Sequence, residues 1–254
     1  MGRPAVQRRS SGSLPAAALL VAAITAWALL AGPEAGVGRM GRSAVGYLAM
    51  WSVMMGAMMV SPLAWFAYGY AAAIGRAGGR ASVRTARTAS LACGYALVWL
   101  AAGIGALGFA SAADAFAGIQ PSAVPRAGGV VFAGAALYQL SRLKERCLSK
   151  YRSPRGFALA ASGFRGPLRD ARAGALHGAW CLGCCWHLML VVVAVGTMDL
   201  RWIGLAALIL VERAWARSQP LLRASGIAFF VAAGLVPWLD AVAPGLHAAG
   251  MDMK

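Results

Sequence analysis

Five stretches of this chain, residues 15–32, 47–72, 89–113, 173–196 and 224–239, contain no Asp, Glu, Lys or Arg. A helix crosses the hydrocarbon core of a bilayer with about 20 mostly apolar residues. Lipid offers no hydrogen bonds, so a spanning backbone must satisfy its own polar groups, as a helix does. Two further stretches are weaker. Residues 123–140 are interrupted by Arg126, and residues 200–215 carry Arg201, Glu212 and Arg213 near their ends. Hydrophobic residues make up 60% of the chain and charged ones 13%, against about 45–50% and about 25% in an ordinary soluble domain. That balance excludes a disordered basic tail and argues against a soluble enzyme around one core. The fold class expected is all-α, a polytopic transmembrane helix bundle.

The formal net charge of +16 raises nucleic-acid binding as a first thought, but its distribution points elsewhere. With seven spans and the N-terminus inside, 19 of the 24 Lys and Arg residues fall on the cytoplasmic side. This is the asymmetry of the positive-inside rule. Omitting either weak span alone places strongly basic loops on opposite sides. Arg8-Arg9 before the first apolar run also fits a signal peptide, and its cleavage would leave six spans in the same orientation. The expected organisation is a basic cytoplasmic tail (1–14), a transmembrane domain (15–240) with a basic cytoplasmic loop (141–172), and a short C-terminal tail (241–254). Location in the inner (plasma) membrane follows. The loop would hold orientation and contact anionic lipid head groups. The bilayer is thus an expected partner and nucleic acid is not. The chain has no Walker A motif, dinucleotide fingerprint or HExxH, and no catalytic residues are expected.

Three of the five cysteines lie within five residues, in His177-Gly-Ala-Trp180-Cys181-Leu-Gly-Cys184-Cys185-Trp186-His187. At about 100° per helical residue, with His177 at zero, Cys181 falls near +40°, Cys184 near −20° and Cys185 near +80°. His177, Cys181 and Cys184 are therefore expected on one face, with Cys185 at its edge and His187 off to the other side. Thiolate, thioether and imidazole donors suit Cu(I), Zn(II) or an Fe–S cluster. The alternative is that cysteine packs as a small hydrophobe. Gly174, Gly178 and Gly183 would admit a close partner helix.

Met50, Met54 and Met58 form an i, i+4, i+8 stripe in the second apolar run, with Met55 and Met59 to one side. Methionine also fills core gaps. Depth links the two clusters. Met58 lies roughly 16 Å from the outer end of its run, and Cys184 roughly 16 Å from the inner end of its own, at 1.5 Å per residue, so both reach the midplane of a core about 30 Å thick. The two helices are expected to touch and share a site of Cys, Met and His. Asp199 and Glu212 read as interfacial, and the absence of carboxylates from the strong spans disfavours a proton-coupled carrier.

Several segments resemble a bacterial family of uncharacterised integral membrane proteins described as predicted metal-binding. They are Ala57-Met58-Met59, Tyr138-Gln139-Leu140, Cys147-Leu148, Arg152-Ser-Pro154, Gly174–Gly178, Cys181-Leu-Gly183-Cys184-Cys185-Trp186, Gly196-Thr-Met198, Trp202 and Glu212-Arg213. The likeness covers most of residues 47–240, and the CxGCCW segment is its specific part. It implies a metal site at Cys181, Cys184 and Cys185, with Met58, Met59 and Met198 as weaker donors. It also implies a further functional cysteine, Cys147, at the inner face. The family pattern has a second Cys where Tyr151 stands. It also runs directly into Pro-Ser after Met59, where this chain has Val60-Ser61-Pro62.

Three readings are weighed. The first is a membrane protein binding a soft metal, Cu(I) before Zn(II), at Cys181, Cys184, Cys185, His177, Met54, Met58, Met59 and Met198. It would transport the metal or deliver it to a donor or acceptor protein. The second is thiol–disulfide exchange within the membrane. The third is a structural or assembly subunit with packing cysteines.

Overall fold

The computed structural model describes residues 43–195, 201–215 and 217–238, together with Ala18, Leu19, Val21, Ile24 and Thr25. The 1–14 tail, most of the 15–32 run, Met198 and the 241–254 tail lie outside the described residues. Among those described, the chain is all-α, with no strand.

Ser43 caps the first helix, its hydroxyl accepting from the Gly46 amide at 3.1 Å. This helix, α1, runs Ala44–Arg76 and bends by 62° between Ala44–Val60 and Leu63–Arg76. Pro62 stands at the bend and supplies no amide proton to the helical ladder. Gly78, with φ +83°, turns the chain into α2, Ala81–Ile119. A 3₁₀ turn, Pro121–Ala123, leads to α3, Val124–Gln139. Then follow α4, Arg142–Arg152, and α5, Pro154–Ala161. The series closes with α6, Arg169–Val195, α7, Arg201–Ala214, and α8, Gln219–Leu235.

Among the described residues two helices are long and apolar enough to cross a membrane, Ala81–Ile119 and Arg169–Val193, with the bent α1 a third if its halves form one span. Each described apolar run is helical. However, α3, α7 and α8, at 16, 14 and 17 residues, reach only about 21–26 Å at 1.5 Å per residue. The expectation of about seven spans is thus not carried by helix length.

Helix α6 is the hub. In its apolar window 56% of residues are buried, against 17% for α2, so α2 presents most of its apolar surface outward. The two cross at glycines. A Cβ on Gly174 would sit 1.8 Å from the Leu91 carbonyl oxygen, and one on Gly94 would sit 1.9 Å from that of Ala171. Gly178 rests on Tyr95 and Val98 in the same seam. Such contact exists only where small residues let backbones approach. The Gly174→Ala variant should lose about 1–3 kcal/mol by overpacking. Gly134→Ala, where nothing lies within 4 Å, should be neutral or gain up to about 1 kcal/mol of helix propensity. Thermal unfolding of both variants in detergent checks the pair. Arg87, Asp170 and Tyr70 clamp the same crossing, with the Arg87 Nη2 2.9 Å from the Asp170 Oδ1.

The segment 141–172, expected as a basic connecting loop with a helical start, holds α4 and α5 and the start of α6. Ser141 caps α4 by accepting from the Lys144 amide, and Ser153 caps α5 by accepting from that of Gly156. One side of α4 buries Lys144 and Leu148. Lys144 is 0% exposed and its ammonium meets Glu212 at 2.7 Å. Glu212 also accepts from the Gln139 amide group, and the Gln139 Oε1 meets Lys144 and the His187 Nε2. Burial pushes the Lys144 ammonium below its ordinary value, and Glu212 pulls it back. Glu212, expected at an interface, is buried, because Lys144 and Gln139 together satisfy its carboxylate.

Candidate metal centre

The α2–α6 seam brings Tyr95 onto Cys181. The Tyr95 hydroxyl donates to the Met59 carbonyl at 3.2 Å and meets the Cys181 Sγ at 2.9 Å. Met59 lies just before the bend of α1, so one phenol ties the bend to the cysteine helix. The Met59 Sδ is 4.0 Å from the Cys181 Sγ. Cys185 is one helical turn on, its thiol donating to the Cys181 carbonyl at 3.2 Å. All three sulfur residues are at most 1% exposed.

Arg213, from α7, enters this sulfur cluster. Its Nη1 lies 3.1 Å from the Met59 Sδ. Its Nη2 donates to the Cys181 carbonyl and to the Cys185 Sγ, each at 3.2 Å. The guanidinium lies 4.9 Å from the centre of the Tyr151 ring, a cation–π contact. Tyr151 stands where the resemblance places a cysteine, so a sulfur donor is replaced by an aromatic platform for the cation. Arg213, at the end of a weak apolar run, is buried.

The remaining expected donors go elsewhere. Cys184 packs with Leu148, Leu222, Cys147 and Tyr151. Gly183 beside it leaves room for the Cys147 thiol, which would lie 3.1 Å from a Cβ there. The packing neighbours of Cys184 thus differ largely from those of Cys181. Cys181 and Cys185 are separated by about 40° on the helix and aim at one target, while Cys184 lies some 60° from Cys181 on the opposite flank.

His177 sits in an aromatic slot, its ring 3.8 Å from that of Phe66 and 4.8 Å from that of Tyr151. Neither ring nitrogen has a hydrogen-bond partner among the described residues. Met54 and Met58 are buried in the apolar core, and the sulfur contact falls to Met59 at the flank of the stripe. His187 hydrogen-bonds to Gln139. All five cysteines are free.

Among the described residues no group of three or more His, Cys, Asp and Glu side chains could hold a metal ion. The cluster present is two thiols and one thioether. Two zinc–sulfur bonds of about 2.3 Å span up to about 4.6 Å, so the Cys181 and Met59 sulfurs are close enough to meet one ion. Structural zinc takes four ligands, one more than this cluster holds, and soft thiolate and thioether donors suit copper(I) as well as zinc and iron–sulfur clusters.

Sequence reasoning missed Arg213, Tyr95 and the Lys144–Glu212 pair. A signal was present for two of them. Glu212 and Arg213 follow an apolar run, and a charge embedded in such a run is a functional-site candidate by default.

A family model described as PpoB2, copper chaperone, matches residues 48–236. No curated protein and no solved structure matches the chain.

Proposed function

The chain belongs to the PpoB2 copper chaperone family, and on that premise we propose that it carries Cu(I) as cargo at Cys181, Cys185 and Met59 and delivers it to an acceptor protein. The observation that carries this reading is the buried convergence of two thiols and a thioether from helices far apart in sequence. The cluster holds two thiols and a thioether and no carboxylate among the described residues, which disfavours the oxygen-seeking Mg²⁺ and Ca²⁺.

In this reading residues 15–240 form one domain inserted in the inner membrane, with α1, α2 and α6 as full spans. The shorter α3, α7 and α8 complete the bundle. Large apolar side chains facing outward support insertion, among them Trp65, Leu97, Ile104, Val130, Ile227 and Phe230, since so much exposed apolar surface calls for a lipid or protein cover. The exchange partner would approach from the side of α4 and α8. There a cleft of about 470 Å³ is lined by Arg142, Arg146 and Arg152 and walled by Leu148 and Leu222. Cys147 and Cys184 lie behind that wall, and serve in this reading as the exit side of the path.

The test is a titration of the purified chain in detergent with Cu(I) against a chromophoric chelator. One Cu(I) bound per chain is the expected result. Met59→Leu, close in volume, should weaken binding about tenfold, about 1.4 kcal/mol, with thermal stability little changed. A wild-type chain that withholds no copper from the chelator would sink the proposal.

A further inference from the structure

Arg213 raises a problem of charge. It is 8% exposed and its guanidinium reaches Met59, Cys181, Cys185 and Tyr151. Among the described residues no carboxylate pairs with it. Its chain neighbour Glu212 is already committed to Lys144 and Gln139. A buried cation without a partner is strongly unfavourable, so the fold is built around an anion that the sulfurs must provide.

We propose that Arg213 is the specificity-determining residue of the sulfur site and selects a monovalent soft ion by charge balance. This rests on the copper-site reading above. A metal-bound cysteine is a thiolate. When Cu(I) binds, the Cys181 and Cys185 thiols each lose a proton to solvent and two metal–sulfur bonds form. Two thiolates, one Cu(I) and one guanidinium sum to zero. Replacing Cu(I) by Zn(II) leaves a net charge of +1 in the same buried volume. Met59 contributes a donor without a charge and leaves the sum untouched. A low dielectric magnifies any uncompensated unit charge, so the neutral assembly is the stable one.

The experiment uses the full chain in detergent and competes Cu(I) against Zn(II), and Ag(I) against Cd(II), in the wild type, Arg213→Met and Arg213→Lys. The wild type and Arg213→Lys should strongly prefer the monovalent ion. In Arg213→Met the two thiolates alone balance a divalent ion. The preference should then fall by about a hundredfold or more, about 2.7 kcal/mol at 1.4 kcal/mol per decade. A preference in Arg213→Met within about threefold of wild type, on a chain that still binds Cu(I), overturns the charge-selection role and leaves the copper site standing. A wild type that binds neither Cu(I) nor Ag(I) overturns both. Should Arg213→Met fail to fold, the wild-type chain decides. Saturating Ag(I) should raise its Tm and saturating Cd(II) should not, and equal shifts overturn the proposal.

Discussion

Replacing Cys181 or Cys185 by serine should lower Cu(I) affinity by about a thousandfold, about 4 kcal/mol, while Cys184→Ser should stay within about threefold of wild type. The three cysteines are within five residues, yet the fold separates them. Cys181 and Cys185 share Arg213, and Cys181 meets Met59 and Tyr95. Serine in place of either thiol removes a soft, ionisable donor, and the other thiolate with Met59 is a weak pair. Cys184 instead faces Leu148, Leu222 and Cys147. Its replacement should slow transfer to an acceptor more than it alters the equilibrium affinity. Competition with a Cu(I) chelator, followed by stopped-flow transfer, separates the two effects. Equal affinity losses in Cys184→Ser and Cys181→Ser would mean that the site is built otherwise. The same variants address thiol–disulfide exchange. That chemistry requires a redox-dependent change in alkylation of the 181–185 group, whereas metal carriage requires protection from alkylation by Cu(I) alone.

A second large effect is expected far from any sulfur. Lys144→Met should destabilise the chain by about 3–5 kcal/mol, the cost of leaving one member of a buried ion pair without the other. Lys144 is 0% exposed and its ammonium lies 2.7 Å from the Glu212 carboxylate. Gln139 bridges the pair, donating to Glu212 and to the Ser225 hydroxyl while its Oε1 meets Lys144 and His187. The double variant Lys144→Met/Glu212→Gln should recover most of the loss. It removes both charges and keeps an acceptor for Gln139. Thermal unfolding in detergent measures the cycle. A double variant no more stable than Lys144→Met would place the loss in packing and not in charge. Because Glu212 precedes Arg213, this network also fixes the rotation of α7 that aims Arg213 at the sulfurs. The Lys144→Met variant should therefore weaken Cu(I) binding as well, by up to about tenfold.

Much of the helical layout was legible from hydropathy, since each described apolar run is helical and α6 carries the cysteine cluster near its middle. Helices α1 and α6, expected to touch, do meet at Met59 and Cys181. Of the described methionines named as donors it is Met59 whose sulfur lies nearest Cys181. Depth along a helix axis is set by sequence position, but the direction of a side chain depends on how the helix is turned, and a 62° bend follows Met59 directly. The burial of Lys144 within the basic segment 141–172 was hidden for a related reason. Charge composition describes the exposed side of α4 well, and says nothing of the single lysine that turns inward.

By itself the sequence determined that this chain is helical and strongly apolar, and which soft donors α1 and α6 carry and at what spacing. Those properties follow from hydropathy, rise per residue and the chemistry of each side chain, all of which are local. Only the tertiary structure decided which cysteines act together. Helical periodicity assigns an angle to every residue but leaves the direction of the partner helix open. The glycine seam of α2 and α6, with Tyr95 reaching across it to Met59, fixes that direction. Once it is fixed, Cys181 and Cys185 point into the bundle with Arg213 between them, and Cys184 points away.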